Sequence, residues 1–492
     1  MHSNNWSLVL PLLAILSLTA SASPTRRSQP PVCVIGGGPS GLTAASRLEA
    51  KGIPAVIFEK QPEIGGKCQS YYDEQGIFHP LGAAFFSNAS YSETVKVVDV
   101  AGVAIEEFAL AGARQMFRFN YTEGEILDVL PLDPGFLVQI AQEIARYAGL
   151  WRKMFVPISV PSFKKGVPAD LTVSGAEWFR KNNFTVLPLL LVNPLALYGY
   201  GDIREVPALY VLQYITPDIL TAFIGQHNVY YTDFNKVWVE WAKKTLRKTP
   251  INLEHDIHRI DRSGRNPVLT YTKPNGNFSR SHSNSPRLWG HQECSSLVLA
   301  FPPTLDNLQN VGLDLTQAEH NVFSKVGVHN YYSSAYKFDM PFGVSYISSS
   351  PSPFAPPPSD GQPVAVLRLN AKSDISTAWS WGPYRAFQSE AYARDLLQST
   401  MSALNKDPRN ATAPSRPLHD DDIRAFRKWD YFPHFDSEPL RNGVYDEFNA
   451  LQGEGKAYWA SGLNGMETVE WTIRGAAEVV DTHFGNLTAK VC

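Results

Sequence analysis

Four cysteines among 492 residues are too few for a disulfide framework to hold the chain together. A charge excess is missing as well. With 44 Lys and Arg against 47 Asp and Glu, the net charge is -3, which leaves no basic footprint for nucleic acid or a strongly anionic membrane surface. No apolar run reaches the ~20 residues that a bilayer-spanning helix needs. Leu8 to Ala20 is too short, and Val186 to Tyr198 is broken by Pro188 and Pro194. There is no internal repeat, and no metal site is expected. What remains is an ordinary globular composition, 44% hydrophobic, 18% charged and 12% aromatic, in a chain long enough for two or more domains.

The short apolar run at Leu8–Ala20 is followed by Ala20-Ser21-Ala22, an A-x-A cleavage pattern. Residues 1–22 therefore read as a secretory signal peptide, and the mature protein is expected in the secretory lumen or outside the cell. A buried N-terminal helix is the plainer alternative. Arg26-Arg27 reads as a processing pair or a solvated tail. Asn-x-Ser/Thr sequons at Asn88, Asn120, Asn183, Asn277, Asn410 and Asn486 fit export and glycosylation. Cys33 is expected to be inert core material, and Cys68 to lie near a cofactor.

The richest stretch is VCVIGGGPSGLTAASRLEAKGIPAVIFEK, Val32 to Lys60. Val32 to Ile35 suits a strand buried on both faces. Gly36, Gly38 and Gly41 make G-x-G-x-x-G, with Pro39 and Ser40 between them. A helix follows from Leu42 to Lys51, Gly52 ends it, and Ala55 to Phe58 is a second strand closed by Glu59. This order serves a dinucleotide. Gly36 permits the tight turn, Gly38 lets backbone approach a pyrophosphate, and Gly41 lets the helix pack closely. The helix N-terminus offers N–H groups and partial positive charge, and Glu59 can accept a bond from a ribose hydroxyl. A glycine-rich turn in some other α/β fold would not require the strand, helix, strand and acid together.

Beyond Glu59-Lys60 stands Pro62-Glu63-Ile64-Gly65-Gly66-Lys67, which resembles the glycine-pair motif of flavoproteins of the amine oxidase group. Members usually carry Arg where Lys67 stands; either cation could reach a phosphate. Near the other end, KAYWASGLNGMETVEWTIRGAAEVV, Lys456 to Val480, resembles the C-terminal flavin motif of the same group. There a loop passes the ribityl chain and a helix N-terminus faces the flavin ring. Many members read Ala-Gly-Glu where this chain has Ala460-Ser461-Gly462.

These motifs stand in family order from Val32 to Val480, so the chain is similar to FAD-dependent oxidoreductases of the flavin amine oxidase-like group. Within it, the chain most resembles secreted fungal natural-product flavoproteins, the beta-cyclopiazonate dehydrogenases among them. The resemblance implies an α/β fold: a Rossmann-like FAD-binding domain of the glutathione reductase/amine oxidase type, with an interleaved α+β substrate domain. FAD-binding segments are expected at 23–100, 236–310 and 421–492, and cap or substrate segments at 101–235 and 311–420. The implied FAD contacts are Gly36, Gly38, Pro39, Ser40, Gly41, Glu59, Lys60, Gly65, Gly66, Lys67, Gly82 and Ala83. Ile257, Gly462, Glu467, Thr468 and Val469 complete the set. His79, the one titratable group in Gly76–Phe86, is the catalytic candidate. Strands are expected at Pro250–Gly264, Ser295–Leu308, Phe338–Phe342, around Tyr346 and at Val364–Leu369, with a surface loop at Ser348–Pro358.

The implied activity is hydride transfer from a small apolar substrate to the flavin, with molecular oxygen or another acceptor closing the cycle. One alternative is a redox-neutral flavin isomerase of polyunsaturated lipids. Another is an amine or amino-acid oxidase, for which Lys325 and Lys337 are the candidate lysines. A relative that binds a protein partner in place of FAD is set against by the intact glycines and the export signal.

Overall fold

The structure, a computed structural model, describes residues 29–485 except 111, 122–123, 128–133, 189–198, 276–286 and 350–357. The signal peptide, Arg26-Arg27, the sequons at Asn277 and Asn486 and most of the Ser348–Pro358 loop lie outside the described residues, as does much of Val186–Tyr198.

β-branched and aromatic residues build a five-stranded parallel sheet. Its two founding strands are β1 (Val32–Ile35) and β2 (Ala55–Phe58), every residue of which is buried. The strand order is Ile251–Asn252, β2, β1, Ser296–Leu299, Ala457–Trp459. Three distant stretches thus meet in one α/β sheet, and the helix α1 (Pro39–Ala50) connects β1 to β2. The C-terminal helix Val469–His483 packs against α1. The Pro250–Gly264 stretch divides its work. Ile251–Asn252 joins the parallel sheet, while Asp256–Asp261 enters a separate three-stranded antiparallel sheet.

The second large sheet has seven strands, in the order Ile423–Phe435, Val326–Lys337, Ile375–Tyr384, Pro363–Leu367, Val344–Ser349, Gln115–Asn120, Glu125–Leu127. Two expectations are corrected here. Phe338–Phe342 is not a strand; the chain leaves the sheet after Lys337. The boundary at 421 falls too early, because Ile423–Phe435 hydrogen-bonds along Val326–Lys337 and so belongs to the substrate-side sheet.

Cys33 is not a free core thiol. It forms a disulfide with Cys294 across a sequence separation of 261 residues. The bond ties β1 to Cys294, two residues before the neighbouring strand Ser296–Leu299. Sequence spacing alone could not pair them, since only the parallel register brings these positions together.

Candidate cofactor and substrate cavity

A cavity of about 700 Å³ runs between the two sheets. At one end it meets the glycine turn. Gly36 has φ +109°, and a Cβ there would stand 2.7 Å from the Ala300 carbonyl oxygen. A Cβ on Gly41 would stand 1.9 Å from the Gly36 carbonyl oxygen, so α1 can approach β1 only with glycine at this position. Gly38 differs from both. The nearest atom to a Cβ there is the Gly66 Cα at 3.6 Å, so the room it leaves belongs to the cavity. Pro39 occupies the first turn of α1, whose remaining N–H groups have no partner within the helix. The buried Glu59 carboxylate accepts from the Gly37 N–H at 2.6 Å and the Gln61 N–H at 2.7 Å. Lys60 and Ile257 line the same end.

The other end is built by two motifs and an aromatic wall. Lys67 donates to Glu467 Oε1 at 2.9 Å and lies 5.4 Å from the centre of the Tyr431 ring. This places Lys67 on a carboxylate, whereas a phosphate contact was expected. Thr468 caps the C-terminal helix, its side chain accepting from the Trp471 N–H, and Thr468 and Val469 face the cavity. The Tyr200 hydroxyl donates to the Glu467 carbonyl oxygen at 2.8 Å, and the Tyr431 hydroxyl reaches that of Tyr200 at 3.2 Å. Burial raises both phenols well above their ordinary pKa, so they act as neutral donors. Tyr331, Trp379 and Trp429 extend the wall along the seven-stranded sheet. Phe85, Leu110, Ile219, Phe223 and Val229 add further apolar lining.

Most of the expected contacts therefore line one space: Gly36, Gly38, Pro39, Ser40, Glu59, Lys60, Gly66, Lys67, Gly82, Ala83, Ile257, Gly462, Glu467, Thr468 and Val469. Gly41 and Gly65 stand behind it. Gly65 donates its N–H to the Gly37 carbonyl oxygen at 2.9 Å and so pins the second loop to the first. Gly82 must be glycine for a reason unconnected with a flat ring: a Cβ there would stand 1.6 Å from the Lys67 carbonyl oxygen.

His79 is not brought to the cavity. It is buried, with Nε2 3.3 Å from Asp73 Oδ2 and 3.1 Å from the Ser373 hydroxyl, and it ties the Ser70–Pro80 hairpin to the substrate sheet. Its burial lowers its pKa, so the ring stays neutral and structural. Lys325 and Lys337 also lie elsewhere, paired with Glu447 and Asp374 on the surface. Cys68 lines the cavity, and burial pushes its thiol up to about 12.

From sequence, the tyrosines of the stretch 198–214 read as pocket lining or cap packing, and Tyr200 and Tyr214 do line the cavity; the part of the wall carried by the seven-stranded sheet was missed. Its signal is present: Tyr331 and Trp429–Tyr431 sit at alternating positions of long strands. Which face of those strands meets a cofactor depends on sheet register and cannot be read locally.

The cavity passes a test of fit for a dinucleotide on two grounds. Open room stands beside Gly38, next to free helix N–H groups, and Glu467 Oε2 is buried with no partner among the described residues. Comparison with known proteins agrees. The NAD(P)-binding Rossmann-like domain family matches residues 34–99. The chain is 24% identical to the FAD-dependent oxidoreductase dpchF of Colletotrichum higginsianum, covering 88% of each chain. It is 23% identical to the beta-cyclopiazonate dehydrogenase of Aspergillus flavus, covering 89% of this chain and 90% of that one. In fold it is similar to the CLA-producing fatty acid isomerase from P. acnes, with TM-score 0.74, 22% identity, and coverage of 92% and 99%. It is also similar in fold to putrescine oxidase, with TM-score 0.59, 15% identity, and coverage of 92% and 98%. The chain is an FAD-dependent oxidoreductase, and its fold is similar to that of flavin amine oxidases.

Proposed function

We propose that this FAD-dependent oxidoreductase takes a hydride from a small apolar substrate held against the aromatic wall. The observation that carries the reading is a single cavity shared by the glycine turn and by Tyr200, Tyr331, Trp379, Trp429 and Tyr431. FAD supplies a two-electron acceptor when bound. The chain supplies the rest. The first turn of α1 and Gly38 would receive the pyrophosphate, Glu59 a ribose hydroxyl, and the N-terminus of Val469–His483 the electron-rich edge of the ring. The tyrosine and tryptophan faces orient the substrate and exclude water. Lys67 and Glu467 neutralise one another, which suits a site for an uncharged substrate.

Secretion is part of the proposal. Disulfides persist in oxidising compartments, and Cys33–Cys294 supports an exported protein. A role in natural-product oxidation is supported by the likeness to the fungal enzymes.

The apolar lining at Leu110, Ile219, Phe223 and Val229 favours a second reading, redox-neutral isomerisation of an unsaturated lipid chain. One experiment separates the two. Purified protein loaded with FAD is given polyunsaturated fatty acids and apolar heterocycles while oxygen uptake, dye reduction and diene absorbance are followed. Oxygen or dye consumption supports the oxidase reading. A diene signal without net electron transfer overturns it in favour of isomerisation.

A further inference from the structure

The turn at Ser461–Asn464 is rigid. The Ser461 side chain accepts from the Leu463 N–H, and the Asn464 side chain accepts from the Ser461 N–H at 2.8 Å. This fixes the direction in which position 462 faces. That position is glycine, and a Cβ there would stand 2.6 Å from Glu467 Oε2 and 3.2 Å from its carboxyl carbon. The Glu467 carboxylate therefore fills the volume in which a side chain at 462 would begin. Its backbone is held by the Tyr200 hydroxyl and its Oε1 by Lys67, yet Oε2 is buried and has no partner among the described residues. A carboxylate oxygen left dry and unbonded is destabilising, so a donor is missing from this side of the cavity.

The position says what kind of donor. Lys67, the partner of Glu467, follows Gly66, which stands against Gly38 of the glycine turn, and lies 5.4 Å from the centre of the Tyr431 ring, so Glu467 sits between the glycine-turn end and the aromatic end. In FAD the piece between pyrophosphate and ring is a polyol chain, whose hydroxyls are donors. We propose that Glu467 Oε2, seated in the space that Gly462 leaves open, accepts a hydroxyl of that polyol chain, and that Lys67 serves as its anchor and touches no phosphate. The assignment rests on the FAD reading above and adds to it a residue that discriminates flavin from simple nucleotide.

The test compares FAD with ADP, which shares the adenosine and the diphosphate but lacks the polyol. Flavin is stripped from the full-length protein, and dissociation constants for both ligands are measured by calorimetry on wild type, Glu467→Ala, Glu467→Gln and Lys67→Met. Glu467→Ala should weaken FAD by on the order of tenfold to a hundredfold, the range of a hydrogen bond to a charged acceptor, and leave ADP unchanged. Glu467→Gln keeps an acceptor oxygen and should lose less. Lys67→Met should weaken FAD and spare ADP. Unchanged FAD affinity in Glu467→Ala overturns the proposal, as does an equal loss for ADP, which would mark Glu467 as merely structural. Loss of ADP in Lys67→Met would put that lysine on a phosphate and overturn its anchoring role. A wild type that binds ADP but not FAD would instead sink the flavin reading itself.

Discussion

Gly38 and Gly41 stand three positions apart and answer to different neighbours. A side chain on Gly41 would drive into the Gly36 carbonyl at 1.9 Å, whereas one on Gly38 would meet nothing of the protein nearer than 3.6 Å. Gly41→Ala should therefore lower unfolding stability, at the upper end of the ~1–3 kcal/mol that overpacking costs, since backbone must shift. Gly38→Val should leave the melting temperature close to wild type and abolish FAD retention. Parallel denaturation curves and flavin absorbance of the two purified variants check this. If both lose stability alike, the room beside Gly38 is not the cofactor's. These glycines were legible in the sequence because the constraint on each is a local turn plus one close approach. The pairing of Tyr200 with Tyr431 was not legible. The two meet through Glu467, 267 and 36 residues away, and no local pattern encodes that.

Elements carry two further expectations. Thr468 caps the helix Val469–His483 and faces the cavity. Thr468→Asp keeps a good capping acceptor, so the helix should survive, while a negative charge joins the helix end. If that end faces the flavin ring, the midpoint potential should fall, with FAD still bound. A helix end of this kind is worth ~0.3–1 kcal/mol, and up to ~2 when partly buried. An unchanged potential in a flavin-loaded variant would move the helix away from the ring. The second expectation concerns strands. His329 on Val326–Lys337 and His434 on Ile423–Phe435 stack at 6.0 Å, with Tyr384, Arg385 and Asp436 around them. Burial, and for His329 also its neighbour His434, lowers the pair from 6.5 to about 3 and about 4. Above pH 6.5 both rings are neutral whether the chain is folded or not. Below it the unfolded chain binds protons that the folded chain refuses. Stability should then fall with pH through the window from 6.5 toward 4, by about 1.4 kcal/mol per pH unit for each histidine. Urea melts between pH 7 and 4.5 measure that slope, and His434→Phe should flatten it. The strands themselves show why the element scale was only partly legible. The boundary at 421 put Ile423–Phe435 in a cofactor-binding segment, and only its register along Val326–Lys337 places it in the seven-stranded sheet.

At the scale of the whole molecule, β1 is tied twice to the stretch 261 residues away, once by parallel hydrogen bonds and once by Cys33–Cys294. The bond lies in the sheet that carries the glycine turn, so its loss should loosen the cofactor domain first. Three sequons are on the surface, at Asn88, Asn183 and Asn410, while Asn120 is half-buried. The proposed export makes a joint prediction for the disulfide and the surface sequons. Protein recovered from the medium of a eukaryotic host should begin after about residue 22 and carry glycans at Asn88, Asn183 or Asn410. It should also leave Cys33 and Cys294 unlabelled by a thiol reagent in denaturant until a reductant is added. Cys33→Ser with Cys294→Ser should lower stability by about 2–4 kcal/mol, the usual worth of a disulfide that closes a long loop. Peptide mapping with and without glycosidase and reductant tests all of this on one sample. Recovery of a chain beginning at Met1, unglycosylated and with both cysteines labelled before reduction, would refute export. The cavity would stand, since neither cysteine lines it.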